Sequence, residues 1–202
     1  YRSSRGLGDV YKRQVLDIGC GWGGMAAHIY KKSDANVVGV TLSEEQIAYA
    51  EQRKIREKLD KVEYRLQDYR NVNEKYDRIV SVGMFEHVGT AHYQEFFNKV
   101  FDLLNDNGVA LIHTIGRLNE PGTTDSWIDK YIFPGGYIPA LSETVSRVEK
   151  SGLSMTDIQI LKFHYAETLK RWRYNFYENI DKVKEIYDEK FCRMWDFYLS
   201  SS

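Results

Sequence analysis

The sequence predicts an α/β fold, a doubly wound and mostly parallel sheet, on three observations. Short β-branched runs alternate with stretches of helical periodicity from residue 15 onward. A cluster of glycines stands between the first strand and the first helix. No repeat or linker breaks the alternation, so one domain is expected over 15–202.

The elements follow in order. Val15–Ile18 (VLDI) reads as a strand, and Met25–Lys32 as the helix after the glycines. Asn36–Thr41 (NVVGVT) is a second strand. Ser43 and Gln46 then have the spacing of an N-cap and a third helical residue, opening a helix from Glu44 to about Leu59. Val62–Gln67 and Arg78–Val82 read as strands. Tyr93, Phe96, Phe97, Val100, Phe101 and Leu104 recur at helical spacing and are expected in the core. Asn105–Gly108 (NDNG) is read as the helix stop, with a fifth strand in VALIHTIG. The segment 117–137, with Pro121, Pro134 and three glycines, reads as a functional insertion. A helix over Ser142–Ser151, a strand over Thr156–Phe163 and helical, aromatic-rich text from Tyr165 to Leu199 complete the chain.

Composition narrows the function. The chain has 202 residues and a formal net charge of -1, with 14% aromatic residues. That charge gives no overall basic field, so nucleic acid is not expected as a partner. Cys20 and Cys192 are far apart, which suggests neither a disulfide framework nor a zinc site, and no metal is expected. This fits a reducing cytoplasm. No apolar run of membrane-spanning length and no signal core occur, so membrane contact is expected to be peripheral. Residues 1–14 are polar, bear Arg and Gly, lack periodicity, and read as disordered or foreign flanking sequence.

Gly19, Gly21 and Gly24 satisfy G-x-G-x-x-G between a strand and a helix, where backbone N–H groups can approach a nucleotide. A dinucleotide reading also needs an acid closing the second strand, and that strand ends Gly39, Val40, Thr41. Asp17, two residues before the first glycine in DIGCGWGG, instead suits a Rossmann-like class I S-adenosylmethionine-dependent methyltransferase. Cys20 is expected to pack rather than to act as a nucleophile.

With DIGCGWGG, GVTLSEEQ, SVGMFEHVG, HTIG, FPGGYIP and HYAETL in this order, the chain resembles the cyclopropane-fatty-acyl-phospholipid synthases and their mycolic acid relatives over about residues 15–202. The resemblance implies methyl transfer from S-adenosylmethionine to the cis double bond of an unsaturated phospholipid acyl chain, then proton loss to close a three-membered ring. An alkene is a weak nucleophile, so such a site must position it, exclude water and provide a base. In the family that base is a bound bicarbonate ion. The matching positions are Glu86, His113, the Ile115 amide and Tyr165, a chemically sensible set for holding an oxyanion with one O–H.

For the cofactor the resemblance implies Asp17, Gly19, Cys20, Gly21, Trp22 and Gly23 on the methionine and ribose side. It places Thr41, Leu42 and Gln46 toward ribose and adenine, with Asp68 and Tyr69 where an adenine would sit. Read from the residues alone, Glu86 is more readily a helix-start residue and His113 a satisfied core histidine than functional groups, while His87 and His92 read as structural. Trp127, Tyr131, Phe133, Tyr137, Trp172, Phe176 and Tyr177 either line an acyl tunnel or serve plain helix packing. Lys162, Lys170, Arg171 and Arg173 either meet anionic headgroups at the inner membrane surface or form a solvated face.

The family's upstream segment, with a bicarbonate-contacting Cys, and its final strand have no counterpart here, so the chain reads as truncated at both ends. A Cys of some members aligns with Ser202. Two other chemistries remain open, methyl-branched lipid formation and N-methylation of a small amine, as does a non-catalytic cofactor-binding role. Pairing into a homodimer is also left open.

Overall fold

The computed structural model describes residues 13–201, so the flanking reading of 1–12 and the position of Ser202 lie outside the described residues. The chain forms two compact units, divided after Ser154, where the sequence reading expected one domain.

The first unit is a five-stranded parallel sheet in the order β3-β2-β1-β4-β5. Its strands are β1 (Gln14–Ile18), β2 (Asn36–Thr41), β3 (Val62–Leu66), β4 (Tyr76–Val82) and β5 (Leu104–His113). β1 opens one residue before the reading above, at Gln14, which pairs with Asn36. The buried strand residues explain the parallel arrangement, since the sheet carries a core on both faces. On one face α1 (Gly24–Ser33) and α2 (Glu44–Glu57) bring Ala26, Ala27 and Ala50 against Val15, Val37 and Val80. On the other, α3 (Tyr93–Leu103) brings Tyr93, Phe96, Phe97 and Val100 against Leu16, Ile18 and Ile79. The expected aromatic core of α3 is present, except that Phe101 is exposed.

The chain enters the sheet in the middle and changes direction of growth between β1 and β4. Such a switch point opens a crevice beyond the carboxyl ends of the strands.

NDNG does not separate α3 from β5. The strand already starts at Leu104, paired with Tyr76, and the next partners are Arg78 and Val109, so the intervening residues bulge from the ladder. Asn105 Nδ2 donates to Asp77 Oδ1 at 2.9 Å, and a Cβ at Gly108 would lie 2.8 Å from the Asn105 carbonyl oxygen. Within the insertion, α4 (Ser126–Tyr131) is capped by Asp125, whose carboxylate accepts from the Trp127 and Ile128 amides. Then α5 (Leu141–Glu149) places Val148 on the α3 side of the core.

The second unit holds α6 (Lys162–Glu178), α7 (Ile180–Ile186) and α8 (Glu189–Ser201). The expected strand over Thr156–Phe163 does not form: residues 153–161 carry no regular structure and α6 starts at Lys162. A β-branched run becomes a strand only when a partner ladder takes up its backbone groups, and among the described residues none pairs with this segment. Within the unit, Arg173 Nε donates to Asp196 Oδ1 at 2.7 Å, so its charge is paired. Phe176 is buried, whereas Trp172 and Tyr177 are exposed.

Candidate functional site

The crevice is built around the β1–α1 turn. Gly19, Gly21 and Gly23 all have positive φ, which glycine adopts without the strain of a Cβ. The Gly19 and Cys20 amides both donate to the Val40 carbonyl, at 2.9 and 3.0 Å, fastening the turn to β2. The three glycines differ in what surrounds them. A Cβ at Gly19 would lie 2.7 Å from the Met84 side chain, and one at Gly23 2.6 Å from the Tyr64 hydroxyl. At Gly21 a Cβ would meet nothing within 4 Å. Gly19 and Gly23 therefore serve close packing, while Gly21 faces open space, as a backbone cradle for a ligand requires. The Gly19–Met84 approach also brings the β1 turn against the turn after β4.

Asp17 lies beneath this turn, 2% exposed, with Oδ2 unpartnered among the described residues. Burial pushes its carboxyl up to about 7, against the opposing pull of the Ala26 amide at the start of α1. A buried, partly satisfied acid beneath a glycine turn and a helix N-terminus suits a polar ligand, the acid facing a cationic group and the helix N-terminus an anionic one. Cys20 is also buried, and burial followed by the Asp17 charge pushes its thiol up to about 12. That suppresses the thiolate and supports its reading as a packing residue. A Cβ at Gly39 would lie 2.9 Å from Cys20 Cβ, so the glycine in NVVGVT makes room for this side chain.

The ends of β2 and β3 supply the next wall. Thr41 Oγ1 donates to Gln46 Oε1 at 2.8 Å, and the Gln46 amide donates to Ser43 Oγ at 3.3 Å. Half of the expected capping box forms; the Gln46 side chain turns to Thr41 rather than to the Ser43 amide. Leu42 and Trp22 project with 71% and 54% of their surfaces exposed, as apolar rims at the same strand edge. Asp68 is committed locally, with Arg70 Nη2 donating to Oδ2 at 2.6 Å and holding its carboxyl below the usual range. Tyr69 packs edge-on against Phe96.

Beyond β4, Glu86 sits in a short helical turn, Phe85–His87. It is only 9% exposed. The Ile115 amide donates to Glu86 Oε1 at 2.7 Å, and Oε2 is buried with no partner among the described residues. The Tyr137 amide donates to the Glu86 carbonyl at 3.1 Å, tying the insertion to this turn. His113 closes β5 opposite Val82, and its carbonyl accepts from the Gly83 amide at 3.0 Å. Its imidazole is exposed. Tyr165 stands within α6 of the second unit rather than at a strand-to-helix junction, and its hydroxyl is hydrogen-bonded to that of Tyr198.

The structure thus joins Glu86 directly to Ile115 and brings Asp17, the glycines, Thr41, Leu42, Gln46, Asp68, Tyr69, Glu86 and His113 to the carboxyl ends of neighbouring strands. Sequence reasoning missed Tyr64, whose hydroxyl donates to the Gly23 carbonyl at 2.9 Å, and Arg53, whose Nη1 donates to the Trp22 carbonyl at 3.3 Å. The alternation Val62, Tyr64 on β3 was the one available signal for the first. No group of three or more His, Cys, Asp or Glu suited to a metal occurs among the described residues.

A profile of the mycolic acid cyclopropane synthetase family matches residues 11–202. The cyclopropane-fatty-acyl-phospholipid synthase of Escherichia coli K12 is 42% identical over 93% of this chain and 48% of its own length. A probable fatty acid methyltransferase of Pseudomonas putida is 38% identical, over 92% of this chain and 49% of its own. The chain thus spans about half the length of these curated relatives. Among solved structures, the mycolic acid cyclopropane synthase CmaA1 complexed with SAH and CTAB superposes with a TM-score of 0.84 at 32% identity, covering 98% of this chain and 75% of that one.

Proposed function

The chain belongs to the mycolic acid cyclopropane synthetase family, and from that premise we propose that it carries the site of an S-adenosylmethionine-dependent methyltransferase acting on unsaturated acyl chains of phospholipids. The reaction on this reading is transfer of a methyl group to the cis double bond followed by proton loss, which closes a cyclopropane ring. The observation that carries it is Glu86: a nearly buried carboxylate at the switch point, fastened by one oxygen to the Ile115 amide and with the other oxygen unpartnered.

When bound, S-adenosylmethionine supplies an electrophilic methyl group and bicarbonate supplies a small base. The residues present suit both. The open side of Gly21 and the orphaned Oδ2 of Asp17 support a cofactor's polar end, with Trp22, Thr41, Leu42 and Gln46 along its ribose and adenine. Glu86 Oε2 has the capacity to accept an O–H, and His113 lies at the end of the adjacent strand to hydrogen-bond an oxyanion. The HYAETL resemblance alone assigns Tyr165 to the same role, and the Ile115 amide, assigned to it likewise, here donates to Glu86 Oε1. The exposed aromatics Tyr131, Phe133, Trp172 and Tyr177 support a lipid partner. Among the described residues no helix is long and apolar enough to cross a membrane.

The test is to supply S-adenosylmethionine and unsaturated phospholipid to the protein and determine acyl mass and unsaturation. Gain of one CH2 with loss of the double bond, abolished by Glu86→Gln, is the expected result. Formation of a methyl-branched chain would instead favour the second reading, lipid methylation without ring closure.

A further inference from the structure

The glycine turn is gripped from behind by two side chains that the reading above does not use. Tyr64 of β3 is 7% exposed, and its hydroxyl reaches across β2 to the Gly23 carbonyl, donating at 2.9 Å. The register shows how it gets there. Asp17, Gly39 and Tyr64 are in-register partners on β1, β2 and β3, so the three positions share one face of the sheet. A Cβ at Gly39 would lie 3.0 Å from Tyr64 Cδ1, so the glycine leaves the ring its path over β2. Burial pushes the Tyr64 phenol up, and its hydroxyl stays a donor.

Arg53 acts on the preceding residue of the turn. Its Nη1 donates to the Trp22 carbonyl at 3.3 Å, while its Nε donates to Glu57 Oε1 at 3.0 Å. Lys31 Nζ donates to the other Glu57 oxygen at 2.8 Å, which steadies the carboxylate that orients the guanidinium. One turn earlier on α2, Tyr49 meets the Trp22 ring edge-on at 5.5 Å between centroids. Trp22 is thus held by its carbonyl and by its ring.

A peptide unit is planar with its C=O and N–H opposed, so a fixed carbonyl also fixes the amide behind it. The Trp22 carbonyl shares its unit with the Gly23 amide, which donates to the Cys20 carbonyl at 3.0 Å. Glycines move readily between positive and negative φ, so a turn with three of them at positive φ needs outside contacts to stay in one conformation. We propose that Tyr64 and Arg53 are positioning residues for the cofactor turn: by holding the Gly23 and Trp22 carbonyls they keep it, with Gly21 open, in the conformation that binds S-adenosylmethionine. The ordering is then complete before the cofactor arrives and does not weaken its binding. This role rests on the reading of the turn given above.

Tyr64→Phe keeps the ring and removes only the hydroxyl. Arg53→Met removes the guanidinium from the outside of α2 and decides the matter if the Tyr64 variant fails to fold. Calorimetric titration with S-adenosylhomocysteine should show about tenfold weaker binding for Tyr64→Phe and about threefold for Arg53→Met, the scale of one lost hydrogen bond each. In methyl transfer the loss should fall on KM for S-adenosylmethionine and not on kcat, since ground-state and transition-state binding weaken together. Hydrogen exchange without cofactor separates this role from plain stabilisation. The Gly23 and Ala27 amides, bonded to the Cys20 and Gly23 carbonyls, should exchange about tenfold faster in Tyr64→Phe, with those of β4 unchanged. Unaltered affinity in the folded variants, or exchange raised evenly across the sheet, would overturn the proposal. A native protein that binds no S-adenosylhomocysteine would count against the proposed function, with the exchange of the turn still deciding for or against the clamp.

Discussion

Glu86 and Ile115, 29 positions apart in the chain, are joined by a 2.7 Å hydrogen bond from the Ile115 amide to a nearly buried carboxylate oxygen. The bond couples the turn after β4 to the segment after β5 and sets the orientation of the one acid that the proposed reaction requires. Glu86→Gln preserves an oxygen acceptor for the amide, so the fold should survive with a cost of about 1–2 kcal/mol. Methyl transfer should fall by roughly a hundredfold or more, the usual scale for a misplaced or neutralised acid–base partner. Urea unfolding and product analysis on the same preparation check the two effects.

Asp17 makes stability depend on pH with a definite sign. Its folded carboxyl is raised to about 7 from an ordinary 3.8, so between those values the folded protein binds more protons than the unfolded chain. The contribution is fully present below pH 3.8 and is lost as pH rises through 7. Asp17→Asn removes this dependence. The difference in unfolding free energy between Asp17→Asn and the native protein should therefore move in favour of Asn from pH 4 to pH 8, by up to about 4 kcal/mol. Urea titrations of both proteins without cofactor, across that range, would show it.

The glycine turn should separate packing from binding. Gly23→Ala forces a Cβ onto the Tyr64 hydroxyl at positive φ and should cost about 2–3 kcal/mol, part of which Tyr64→Phe recovers. Gly21→Ala meets no neighbour, so its stability cost should be limited to about 1–2 kcal/mol of backbone strain. Its larger effect should be weaker S-adenosylmethionine binding. Thermal unfolding paired with calorimetric titration of the cofactor distinguishes the two variants.

Cys20 should be chemically silent. With its thiol pushed up to about 12 and its side chain buried, alkylation by iodoacetamide at pH 8 should be slow in the folded state and rapid in urea. Peptide mass mapping of Cys20 after timed exposure measures this. Fast modification of the native protein would contradict the packing role.

Local signals were strongest where one residue type does one job. The run VLDI followed by glycines was legible because only glycine tolerates three positive φ values in five residues. The aromatic spacing of α3 was legible because a helix buries one face, and Tyr93, Phe96, Phe97 and Val100 are all buried. Reading failed where a partner decides the outcome. NDNG carries every mark of a turn, yet it bulges within β5 because Leu104 already pairs with Tyr76. Thr156–Phe163 has strand composition but no ladder partner among the described residues, and its last two residues belong to α6.

By itself the sequence determined the order of strands and helices from β1 to β5, the glycine turn with Asp17 beneath it, and the motif-bearing residues Glu86, His113 and Tyr165. These depend on short-range backbone preference and on side-chain identity, which are written locally. Only the tertiary structure decided that Ile115 satisfies Glu86, and that Tyr64 and Met84 crowd Gly23 and Gly19 while Gly21 stays open. Such relationships follow from burial and hydrogen-bond satisfaction between distant segments, and those forces exist only once the sheet has brought the segments together.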